Sequence, residues 1–200
     1  SPQPNRELQR RIIAYKIQTG LDIGCGEASP LSALKKFGFY SVGLDVDEGM
    51  LERAKRKNLH DEYILGDIRN INTGHYDVIV MSHVIEHINK EEAVALLSHL
   101  EEKANYILYI ETPAGFMNQD EYGNNPHQKH LSGWDYSEFQ ARGYEIFGIG
   151  WCAIGRKDTG FIFQSEFVNR LLLRITQILV YKNPRYASFF AAMLDKRKKL

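Results

Sequence analysis

The stretch Leu21-Asp22-Ile23-Gly24-Cys25-Gly26-Glu27-Ala28 decides the fold. A short apolar run enters a turn holding two glycines, and a helix start follows. Ser29 suits the cap, Pro30 the first helical position and Gly38 the end of that helix. Leu31, Leu34 and Phe37 fall on one face of it, which is expected to be buried. Glycines let a backbone approach a ligand closely, and a helix N-terminus favours negative charge. A dinucleotide fingerprint would want Gly or Ala where Ser29 stands, and Asp22 would repel a pyrophosphate. An acidic group there better suits a positively charged ligand.

Outward from this stretch, strands are expected at 40–44, 62–65, 76–81 and 106–110, with helices at 49–57 and 90–103. The run 76–81 is almost unbroken apolar sequence, as befits a central parallel strand covered on both faces. Such alternation implies an α/β fold, a parallel sheet flanked by helices. Its ligands sit beyond the carboxyl ends of the strands, where strand order reverses. Three further groups of residues stand at those ends. Asp45, with Val46 and Asp47 behind it, can accept from two vicinal ribose hydroxyls, or Asp47 can cap the next helix. Asp67 and Ile68 can meet an exocyclic amine and a flat aromatic face. Ser82-His83-Val84-Ile85-Glu86-His87 follows the fourth strand.

These four features, in this order, resemble the class I S-adenosylmethionine-dependent methyltransferases. The Val84-Ile85-Glu86-His87 run brings the chain nearest the small-molecule, type 11-like subgroup. The resemblance covers roughly residues 10 to 165. It implies a Rossmann-like, seven-stranded, mostly parallel sheet in the order 3-2-1-4-5-7-6, with S-adenosyl-L-methionine as cofactor. It implies that Asp22, Gly24, Cys25 and Gly26 line the methionine part, that Asp45 and Val46 hold the ribose, and that Asp67 and Ile68 hold the adenine. Ser82 and His83 would lie near the sulfonium. Ala28 stands where a third glycine is common, and Asp47 where Ser is more usual.

Methyl transfer from a sulfonium needs positioning, exclusion of water and, for a hydroxyl acceptor, a base. By position, His83, Glu111, His127 and His130 are the candidates. His83 and His87 are four apart, but Val84 replaces the glutamate of the zinc-protease motif and no third ligand is apparent, so no metal is expected. The polar, aromatic stretch 112–134 is expected to be a lid over the acceptor. Its resemblance to a loop of methyltransferases from glycan gene clusters leans the reading toward a small-molecule or glycan hydroxyl. A non-catalytic cofactor-binding scaffold subunit is the alternative, and a nicotinamide oxidoreductase is disfavoured by Ser29 and Asp22.

After 137–141 as a helix, 144–149 and 161–163 are expected to form a terminal strand pair closing a domain at 1–165. Residues 166–200 then read as a helical extension, with Val168, Leu171, Leu172, Ile175 and Leu179 at helical spacing and four cations in the last five residues. It can pack on the domain or on a second copy in a homodimer, or lie on a membrane surface, which would suit a lipid-linked acceptor. Arg170 and Arg174 interrupt its apolar face. The chain has 25 basic and 25 acidic side chains, so no overall charge draws it to nucleic acid. Two isolated cysteines, Cys25 and Cys152, and no recognisable leader point to the cytoplasm.

Overall fold

The computed structural model describes residues 3–120, 126–151 and 176–199. Its strands are β1 Thr19–Ile23, β2 Tyr40–Asp45, β3 Glu62–Leu65, β4 Tyr76–Ser82, β5 Ala104–Pro113, β6 Glu145–Trp151 and β7 Ala187–Asp195. They form one sheet in the order β3-β2-β1-β4-β5-β7-β6. β1 to β5 pair in parallel, and β7 runs antiparallel to both β5 and β6. The expected α/β architecture and strand order are those observed.

Alternation along β4 shows why the sheet needs cover on both sides. Ile79 and Met81 point into a core shared with Leu96, Leu97 and Leu100 of α3, Lys90–Lys103, and with Phe139 of α4, Tyr136–Ala141. Val78 and Val80 point to the other face, onto Leu8 and Ile12 of α1, Pro4–Ala14. Both faces of β4 are therefore apolar, and the period of two vanishes from the sequence. Helix α1 had no counterpart in the sequence reading. It is held by charge as well as packing: Arg11, 3% exposed, donates to Glu7, to Glu145 of β6 and to Asp195 of β7.

Two expectations are corrected here. The helix expected from Ser29 is a 3₁₀ segment, Ser32–Phe37, ended by left-handed Gly38. Leu31 and Leu34 are buried, but Phe37 is 59% exposed, because its end of the segment borders a shallow surface hollow beside Ile13 and Ile17. The larger correction concerns the seventh strand. It is Ala187–Asp195, inside the stretch expected to be a helical extension, and it fills the place between β5 and β6. Six of its nine residues are apolar in an unbroken run, Phe189 to Leu194, as an interior strand requires. Residues 176–181 are helical and dock on β6, where the Gln177 amide accepts from Gly150 N and donates to Gly148 O. Phe161 to Phe163, Cys152 and the apolar positions Val168 to Ile175 lie outside the described residues. Among the described residues no helix is long and apolar enough to cross a membrane.

Candidate active site

The turn after β1 is shaped by positive backbone angles. Gly24 has φ +67° and Gly26 φ +46°. A Cβ on Gly24 would stand 2.2 Å from Val84 Cγ2, so the turn lies directly against the segment leaving β4. Asp45, at the tip of β2, ties this turn to the start of α2, Glu48–Arg56: its Oδ2 accepts from Gly26 N at 2.9 Å and its Oδ1 from Asp47 N at 2.9 Å. Asp47 caps that helix by accepting from Met50 N.

These strand tips enclose a cavity of about 820 Å³, counted out to its open mouth. Gly24, Gly26, Asp45, Val46, Asp67, Ile68 and His83 line it, together with Met50, Arg69, His87, His127 and Gln128. The fit to an adenosyl ligand rests on this surface. Two glycines clear the backbone side, Ile68 and Val46 supply apolar wall, and carboxylates stand at the ends of β2 and β3. Arg69 was not foreseen. It grips Asp67 through Nε and Nη2, and so holds that carboxyl below its usual range.

Three expected cofactor contacts do not line the cavity. Asp22 is 2% exposed and lies behind the glycine turn, with Oδ2 3.6 Å from His60 Nε2. Burial pushes its carboxyl up to about 7, with Ser29 pulling the other way. Cys25 is packed against Leu51 and Ala54, and burial, then Asp22 and Asp45, raise its thiol to about 12. Ser82 is the last residue of β4, half-buried and beside the cavity rather than in its wall.

The four candidate bases divide. His83 has φ +55°, an uncommon angle for a residue with a side chain. Its amide donates to Glu111 O, and its ring is slung between two carboxylates, Nε2 3.4 Å from Glu111 and Nδ1 3.3 Å from Glu86. Glu111 and then Glu86 raise its pKa to about 10. Two carboxylates that hold its proton make this ring a poor resting base. Glu111 also accepts from the Tyr109 hydroxyl at 3.1 Å. His127 lines the cavity, whereas His130 is buried against the turn after β4.

That turn anchors the lid. Glu86 O accepts from Leu131 N and Ser132 N, Ser132 Oγ donates to Ile85 O, and Lys90 Nζ reaches Gly133 O over the Trp134 ring. Of the described parts of 112–134, His127 and Gln128 line the cavity, and Leu131 and Ser132 bond to the turn after β4.

Residues 21–101 match a family model described as a methyltransferase domain. The match spans β1 to α3, the half of the sheet that carries the cavity. Among solved structures, an S-adenosylmethionine-dependent methyltransferase from Archaeoglobus fulgidus is 21% identical, covering 96% of this chain and 94% of that one, with a TM-score of 0.58. Magnesium protoporphyrin IX methyltransferase from Synechocystis PCC 6803, with S-adenosylmethionine bound, is 18% identical over 94% of this chain and 77% of that one, TM-score 0.54. The plantazolicin methyltransferase BpumL, in complex with S-adenosylhomocysteine, is 20% identical over 96% and 81%, TM-score 0.56. At such identities the likeness establishes the fold. A search of curated protein sequences gave no match.

Proposed function

We propose that this chain, whose residues 21–101 match a methyltransferase-domain model, is an S-adenosylmethionine-dependent methyltransferase that methylates a hydroxyl of a small-molecule or glycan acceptor. The observation that carries this reading is the junction of two features: a glycine-floored cavity suited to the cofactor, and a cavity-lining histidine, His83, with the carboxylate of Glu111 3.4 Å behind it. When bound, the cofactor supplies the methyl group. Gly24 and Gly26 would clear the backbone for it, Asp45 would accept from its ribose, and Asp67 and Ile68 would flank its base.

The leaving sulfide is neutral, so the sulfur end needs positioning more than charge stabilisation. The acceptor end is different, since a hydroxyl must lose its proton. His83 is a poor resting base, so Glu111 is the terminal proton acceptor and His83 the positioning residue that spans Glu111 and Glu86. The charged pair also gives a polar floor to which an acceptor with several hydroxyls can bond. His127 and Gln128 close the cavity from the lid side.

Turnover assays with hydroxylated acceptors, following S-adenosylhomocysteine release and mass gain, test the reading. Methyl incorporation into a hydroxyl is expected, and Glu111→Gln should lower kcat by about 10²-fold or more with the KM for cofactor unchanged. Methylation confined to amines or thiols would sink it.

A further inference from the structure

Two histidines and a glutamate converge beside the cavity from distant parts of the chain. Glu86 and His87 belong to the 3₁₀ turn Ile85–His87, and His130 comes from the lid. Each ring is fixed by its Nδ1, His87 at 3.0 Å from Lys129 O and His130 at 2.7 Å from Met117 O. A carbonyl oxygen only accepts, so both Nδ1 atoms carry hydrogen, and the Nε2 of each neutral ring is a lone pair. The two rings meet edge to face with centroids 4.8 Å apart. One ligand atom from each ring and one Glu86 carboxylate oxygen lie within 4.8 Å of one another. Among the described residues neither Nε2 has a hydrogen-bond partner. Glu86 is 2% and His130 7% exposed, so two of the three groups are largely withdrawn from water, and Glu86 also accepts from Thr112 Oγ1.

We propose that Glu86, His87 and His130 bind one divalent first-row transition ion. Two imidazoles and a carboxylate suit zinc, manganese or cobalt, and three protein ligands leave a coordination position open. Imidazoles anchored by Nδ1–H to backbone carbonyls are the outer-shell arrangement such ligands need. Metal–ligand bonds of about 2.1 Å space ligand atoms by roughly 3.4 Å, so the three groups close by about 1 Å onto the ion. His87 also lines the cavity, so the proposed ion would sit at the cavity's margin. Holding the acceptor oxygen there rests on the hydroxyl reading above; ion binding does not. The proposed site departs from the expectation of a metal-free enzyme. That expectation paired His83 with His87 by spacing, whereas the fold turns His83 to Glu111 and brings His130 in its stead.

The test is titration of the full chain, stripped with chelator, using Co²⁺ followed by its visible absorption and Zn²⁺ followed by calorimetry. One ion per chain is expected. His87→Gln and His130→Gln should each weaken binding by about 10–100-fold. His75→Ala and His99→Ala, at exposed histidines, should leave it unchanged. His87 is only half-buried, so its variant reports on the site even if the His130 variant melts early. No uptake, uptake that survives both glutamine variants, or uptake lost with His75 and His99 would overturn the site. Stoichiometric uptake with no hydroxyl methylated would leave the site standing and remove the acceptor reading instead.

Discussion

At Gly24 the chain has no alternative residue. A methyl group there meets Val84 Cγ2 at 2.2 Å and the backbone sits at φ +67°, so Gly24→Ala combines collision with strain. A loss of about 1–3 kcal/mol in stability and of cofactor affinity is expected, read by denaturant titration and by calorimetry with S-adenosylhomocysteine. His83 makes a prediction about pH. Its pKa is about 10 in the folded chain against an ordinary value of 6.5, because Glu111 and Glu86 hold its proton. Its contribution to stability is complete below pH 6.5 and is lost as pH rises through 10. The ring is nearly half exposed, so screening keeps the effect below about 1 kcal/mol. The melting temperature should fall slightly between pH 7 and pH 10, and His83→Gln should flatten that slope. Asp45 and the glycines were legible in the sequence because turn geometry and strand tips impose residue types locally. The charge state of His83 was not, since it depends on two carboxylates that only the fold brings to either side of the ring.

Among the elements, α1 has the most to lose from one substitution. Arg11 joins this helix to β6 and β7 through Glu145 and Asp195, and the Asp195 side chain is 1% exposed. Arg11→Met leaves that buried carboxylate without its cation, which costs about 3–5 kcal/mol. Chemical denaturation should show it as a lowered midpoint with a cooperative transition. Elements with a cap or a strong period were readable: α3 was expected at 90–103 and is found there, and α2, expected at 49–57, lies one residue earlier at each end, with Asp47 capping it. β7 was not readable as a strand. Phe189-Phe190-Ala191-Ala192-Met193-Leu194 lacks β-branched residues and alternation, because it packs against α4 on one face and α1 on the other. A buried run of this kind reads equally as helix.

For the whole molecule, the sheet order makes the final stretch indispensable. Ending the chain after residue 165 would remove the strand between β5 and β6 and leave Arg11 without Asp195. Such a truncation should lack a cooperative melt by circular dichroism, and a well-folded product would contradict the placement of β7. The same order bears on how the protein is made. During synthesis on the ribosome, β6 emerges before β7, the only strand it bonds to among the described residues, so more than thirty further residues must be added before that edge is capped. Through that interval the nascent chain exposes both β5 and β6 as open edges. Final closure therefore waits on residue 195, and a chaperone that shields the growing chain has most to protect in the moments just before it.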